Sequence, residues 1–117
     1  VPLKITERTA DDVTILDLEG RIVLGEESSA LRERVKSLLG QGRRKILLNM
    51  ANVSYIDSAG LGALVASYTS AKNQGATLKL VNLGSKFREV LQVTKLLTVF
   101  EVFDDEKTAL ASFRASA

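Results

Sequence analysis

Residues 55–64, YIDSAGLGAL, set an acidic residue, a serine and two glycines between an apolar run and an apolar helical stripe. Leu61, Leu64, Val65 and Tyr68 fall at i, i+3, i+4 and i+7, which is one face of a helix. Asp57 and Ser58 therefore stand where a helix begins, and their side-chain oxygens suit the unpaired amides of a first turn. The glycines need a separate reason, because glycine inside a helix costs about 1 kcal/mol relative to alanine. Gly60 and Gly62 each carry that cost, and neither stands where a C-cap requires it. Two reasons fit: either the helix packs closely on the sheet here, or the missing side chains leave Ser58 bare for an approaching molecule.

A serine so placed has three kinds of chemistry open to it beyond capping. As a nucleophile it lacks the usual general base, since the chain has no histidine, and only a serine–lysine arrangement stays formally open. As part of a phosphate-binding helix start it is poorly served: DSAGLG lacks a Gly-Lys-Ser/Thr ending, and Asp57 repels an anion. As a phosphate acceptor it suits the physics better. A phosphoserine carries about −1.5 to −2 charge, and the helix dipole and free amides would hold it on the folded domain by ~1 kcal/mol. Desolvating the same dianion at an interface costs on the order of several kcal/mol, or orders of magnitude in affinity. Modification would switch binding and leave the domain folded. Ser54 is the nearest competing acceptor, but it precedes the helix.

The bulk properties narrow the class. A chain of 117 residues fits one domain, expected over 1–117, and 45% hydrophobic with 26% charged residues is an ordinary soluble globular mix. The lack of cysteine rules out a disulfide framework and is compatible with a reducing, cytoplasmic setting. The net charge of +2 comes with no dense basic block, and Arg43-Arg44-Lys45 precedes a strand-like run as a solvated loop edge. No nucleic-acid partner is expected. Nor is a membrane partner, since no apolar run approaches the ~18 residues of a membrane span. No catalytic residue, cofactor site or metal site is expected either.

The elements that must carry Ser58 follow from periodicity. LKITERT pairs with a strand over 13–20 (VTILDLEG) as a hairpin, with ADD as its turn. Leu31, Val35, Leu38 and Leu39 mark a helix running from Ser28 and closed by Gly40 and Gly42. The unbroken run KILLNM (45–50) is a strand covered on both faces. The helix after Ser58 ends near Asn73-Gln74-Gly75, and TLKLVNL (77–83) is the next strand. Ser85 is the expected N-cap of a third helix, whose inner face carries Phe87, Val90, Leu91 and Thr94. VFEVF (99–103) is a last strand, and Asp104-Asp105 caps a helix carrying Ala109, Leu110 and Phe113. The order ββαβαβαβα implies an α/β domain, a mostly parallel mixed sheet with an antiparallel N-terminal strand. In such sheets, ligands and partners gather beyond the carboxyl ends of the strands, which is where Ser58 lies.

The stretch LLNMANVSYIDSAGLGALVASYTSAKNQGATLKLVNL and the segments after it resemble the STAS domains of bacterial anti-anti-sigma factors, or anti-sigma factor antagonists. Members of that family carry an apolar strand and then Asp-Ser-Ser/Thr/Ala-Gly-Leu-Gly opening a helix, and VTILDLEGRI resembles their early strand. The resemblance implies a STAS-like fold and a non-enzymatic, phosphorylation-controlled partner switch. The unphosphorylated protein would bind an anti-sigma factor that is also an ATP-dependent serine kinase and so free the sigma factor. Phosphorylation at Ser58 would end that interaction, and a metal-dependent serine phosphatase would reset it. By position, Asp57, Ser58, Ala59, Gly60, Leu61 and Gly62 would form one part of the partner surface. The loop after the early strand, with Ile22, Val23, Leu24 and Glu26, would form another. That loop is more apolar here than in relatives. Glu26, Glu27 and Ser28 also read as ordinary first-turn acids and a cap. Relatives often have aspartate at Asn49 and a glycine near Lys95. A different use of the fold, constitutive binding in a transporter-associated or stressosome-like assembly, would leave Ser58 unmodified.

Overall fold

The chain reverses direction at Asp11 and Asp12, whose φ angles of 51° and 71° are the left-handed pair that a tight hairpin needs. The structure, a computed structural model, describes residues 3–115. The hairpin joins β1 (Lys4–Ala10) to β2 (Val13–Ile22), antiparallel, with Ala10 opposite Val13. From β2 onward, helices alternate with strands: α1 (Glu26–Gly40), β3 (Lys45–Ile56), α2 (Ser58–Asn73), β4 (Thr77–Val81), α3 (Ser85–Val93), β5 (Val102–Phe103) and α4 (Glu106–Ala115). The strands lie side by side in the order β1-β2-β3-β4-β5, with every pair after the first parallel. This is the expected ββαβαβαβα domain, with its mixed, mostly parallel sheet and one antiparallel N-terminal strand.

Both faces of the central strands are covered, which explains their unbroken apolar runs. Leu16, Leu18, Ile46, Leu48, Leu78 and Leu80 belong to the larger core with Leu31, Val35 and Leu38 of α1, Leu64 of α2, and Phe87 and Leu91 of α3. Val13, Ile15, Leu47 and Val81 form a second core with Ala109 and Phe113 of α4. Each fully buried aliphatic side chain stabilises the fold by about 1.5–3 kcal/mol relative to exposure. Lys79 is buried beside this second core. Its Nζ lies 4.7 Å from the Phe113 ring centroid and 5.6 Å from that of Phe103, and it reaches Ser112 Oγ at 3.0 Å and the Glu101 carboxylate at 3.1 Å.

Several boundaries move for identifiable reasons. β3 is twice as long as KILLNM, running through Ile56, because β2 continues beside it to Ile22 with two register shifts, one between Asp17 and Glu19 and one between Gly20 and Arg21. β4 stops at Val81, since Asn82 turns to φ 62°. α1 begins at Glu26, with Gly25 at φ 108° as its N-cap; Ser28 is inside the helix and its Oγ donates to the Gly25 carbonyl. Gly84, not Ser85, is the N-cap of α3, and Val90 and Thr94 lie on its exposed side. Of the expected last strand over 99–103 only Val102–Phe103 pairs, because a 3-10 turn at Leu96–Thr98 runs up to it and the Val99 amide donates back to the Leu96 carbonyl. Asp105 accepts the Thr108 amide at 2.8 Å, as expected of the α4 cap.

Candidate functional site

Asp57 joins the two segments that the sequence singles out. It is the N-cap of α2: its Oδ1 accepts the Gly60 amide at 2.8 Å, and its Oδ2 accepts the Leu24 amide at 3.0 Å. Its own N–H donates to the Ile22 carbonyl at 3.2 Å. One carboxylate thus starts the helix and pins the β2–α1 connection against it. The Gly60 amide, and after it the Leu24 amide, hold this carboxyl below the usual carboxylate range.

Ser58 occupies the first helical position, exposed, and its hydroxyl makes no hydrogen bond within the described residues. The two glycines have different reasons. Gly60 is buried, and a Cβ there would stand 2.0 Å from the Ile22 carbonyl oxygen and 2.9 Å from Ile56 Cγ1. Only glycine lets the helix start come this close to β2. Gly62 is exposed, and a Cβ there would meet nothing within 4 Å. Its bareness has no packing reason.

The remaining expected partner-surface residues divide by exposure. Leu24 is 77% exposed, a large apolar side chain held out by the bond from its amide to Asp57. Glu26 is exposed in the first turn of α1, while Val23, Ala59 and Leu61 are half-buried. The Ile22 side chain is fully buried in the larger core, so at this surface only its backbone and its neighbours are within reach. Gly60 is likewise buried, packed beneath the surface against the Ile22 carbonyl. Sequence reasoning missed Tyr55, which is 56% exposed two residues before Asp57. The signal was present as an aromatic in a polar stretch, but it pointed nowhere until β3 proved to extend that far.

Away from this end, Asn49 is the hub of a polar chain across the sheet. Its Nδ2 donates to Asp17 Oδ1 at 2.8 Å, and its Oδ1 accepts Asn82 Nδ2 and the Ala51 amide, each at 3.1 Å. Asp17 is paired in turn with Arg8, which also holds Glu106 of α4. The amide is needed as a donor here. A carboxylate at Asn49 would face the Asp17 carboxylate directly.

The STAS domain family model matches residues 4–109. The chain belongs to the STAS domain family. This STAS domain is 35% identical over 72 residues to the anti-sigma-B factor antagonist of Bacillus subtilis, a match covering 62% of this chain and 65% of the relative. Among solved structures it is similar to a Thermotoga maritima protein provisionally described as an anti-sigma factor antagonist. That match has TM-score 0.87 and 28% identity, and covers 94% of each chain. It also shares its fold with the Bacillus cell fate determinant SpoIIAA in its phosphorylated form, at TM-score 0.72 and 18% identity, covering 95% of this chain and 98% of that one. No described helix of this STAS domain is long and apolar enough to cross a membrane.

Proposed function

We propose that this STAS domain is an anti-sigma factor antagonist and that Ser58 is its phosphoacceptor. Unphosphorylated, it binds an anti-sigma factor that is also an ATP-dependent serine kinase, and so releases the sigma factor. Phosphorylation of Ser58 switches that binding off, and a metal-dependent serine phosphatase restores it. The domain itself is a non-enzymatic binding module that works in the cytoplasm, without nucleic acid or membrane as partner. The observation that carries the proposal is the unbonded, exposed Ser58 hydroxyl on a helix start whose cap also holds out Leu24. Relatives named as anti-sigma factor antagonists support the same reading.

The electrostatics favour a switch over an unfolding event. A phosphate on Ser58 lies at the positive end of α2, which offsets its repulsion from Asp57 on the folded domain. At an interface that covers Leu24 and Ser58, the dianion is stripped of water. The loss expected is about a hundredfold or more in affinity.

Intact-mass spectrometry after incubation with ATP and the cognate anti-sigma kinase, followed by site mapping, tests the proposal. One added phosphate on Ser58, absent in Ser58→Ala, is the expected result. Ser58→Asp should lose kinase binding, and Ser58→Ala should bind without being turned off. A kinase active on another substrate that binds this domain tightly yet leaves Ser58 unmodified would overturn the switch and leave a constitutive binding module.

A further inference from the structure

β3 outruns its neighbour. It pairs with β4 only from Lys45 to Asn49, whereas on its other side β2 stays paired with it to Ile56. Among the described residues no strand lies along residues 50–56 on the side that β4 occupies lower down. Strand residues direct their backbone N–H and C=O groups alternately to the two sides, so beyond Ala51, whose amide Asn49 Oδ1 already takes, half of the groups in this overhang face an open edge. Proteins usually blunt such an edge with charge, proline or a covering segment. Here the edge runs beside a groove of about 230 Å³ instead.

One wall of the groove is the overhang itself, with Val53, Tyr55 and Ile56; the other is the start of α3, with Lys86, Phe87 and Val90. Tyr55 and Val90 are both exposed, so each wall presents a large apolar side chain to solvent. The volume is below the ~300–1,000 Å³ of typical small-molecule sites, which suits a few side chains of an extended chain better than a cofactor. Lys86 is the one charged residue lining the groove, and it makes no ion pair among the described residues.

The geometry points to a strand-addition site: the free edge of β3 at residues 52–56 takes an extended segment of a partner protein, apolar at alternate positions and carrying an acidic residue beside Lys86. Main-chain hydrogen bonds to the edge give this mode its affinity, and alternate side chains in the groove give it specificity. The site is on β3 and α3, not at the Ser58 hydroxyl, and it holds whether or not Ser58 is ever modified.

The test uses the full isotope-labelled chain and a capped eight-residue peptide in which valines alternate with threonines and one glutamate replaces a threonine. Saturable amide shifts confined to residues 52–56 and 84–90 are expected. Methylating alternate backbone nitrogens of the peptide should weaken binding by about tenfold or more, because it removes main-chain donors. Replacing glutamate by lysine should weaken binding about threefold, and Lys86→Glu should reverse that preference. Val90→Asp, on an exposed helix position, should abolish the shifts while leaving the fold intact. The inference is overturned by no saturable shift up to millimolar peptide, by shifts centred elsewhere, or by equal binding of the N-methylated peptide. Shifts that grow with protein concentration alone, with no effect of peptide, would put a second copy on the edge and overturn it as well.

Discussion

Replacing Gly60 and Gly62 separately by alanine should move stability in opposite directions. In an unstrained helix each change gains about 1 kcal/mol from helix propensity. At Gly62 nothing stands within 4 Å of the new Cβ, so that gain is kept and Gly62→Ala should be about 1 kcal/mol more stable. At Gly60 the Cβ would stand 2.0 Å from the Ile22 oxygen and 2.7 Å from its carbonyl carbon, both main-chain atoms that cannot rotate away. A carbon–oxygen contact needs about 3.3 Å, so the helix start must retreat by more than about 1 Å. Such overpacking costs about 1–3 kcal/mol, and the retreat also breaks the bond from the Asp57 amide to Ile22, worth about 0.5–1.5 kcal/mol. Set against the propensity gain, Gly60→Ala should be about 0.5–3.5 kcal/mol less stable than the wild type. Urea unfolding followed by circular dichroism, with unchanged slopes, reads both numbers. A Gly60→Ala midpoint equal to or above the wild type would refute the packing explanation. Gly62→Ala then becomes the cleaner probe of function: the proposed interface predicts weaker anti-sigma factor binding by a domain that is more stable.

Other outcomes follow from single contacts. Asp57→Ala should speed hydrogen exchange at the Leu24 and Gly60 amides by about tenfold, read by NMR, with the sheet amides unchanged; unchanged exchange at Leu24 would show that the loop holds itself. Arg8 holds Asp17 and Glu106 below the usual carboxylate range, chiefly through its side-chain hydrogen bonds, and Asn49 adds to the effect on Asp17. Carboxyls depressed in the folded state contribute stability that is present above their unfolded pKa and lost as pH falls through the folded one. The urea midpoint should therefore be flat near neutrality and fall below about pH 4, and Arg8→Met should flatten that fall; an identical acid slope would contradict it. Lys95 ends α3 at φ 62°, a left-handed conformation that favours glycine, so Lys95→Gly should raise stability by about 1 kcal/mol or less in thermal unfolding, and a lower melting temperature would count against it.

The sequence by itself determined the element order, the hairpin and the chemistry on offer. Alternation and helical periodicity are local signals, so 13–20, the Leu31–Leu39 stripe and the Leu61–Tyr68 stripe were legible, and DSAGLG marked its own helix start. Absent histidine removed the usual serine base without any structure. What only the tertiary structure decided were facts set by neighbours distant in the chain. Ala51, Asn52 and Ser54 carry no strand signal, and they are extended because β2 runs beside them. Val90 and Ile22 look alike as apolar residues, but one faces solvent and the other the core. Gly60 and Gly62 cannot be told apart in a helix pattern; the difference is the Ile22 carbonyl, 38 positions earlier than Gly60 and in contact with it only after the fold closes. The same closure sets the Leu24 amide on the Asp57 carboxylate and joins two partner-surface candidates into one.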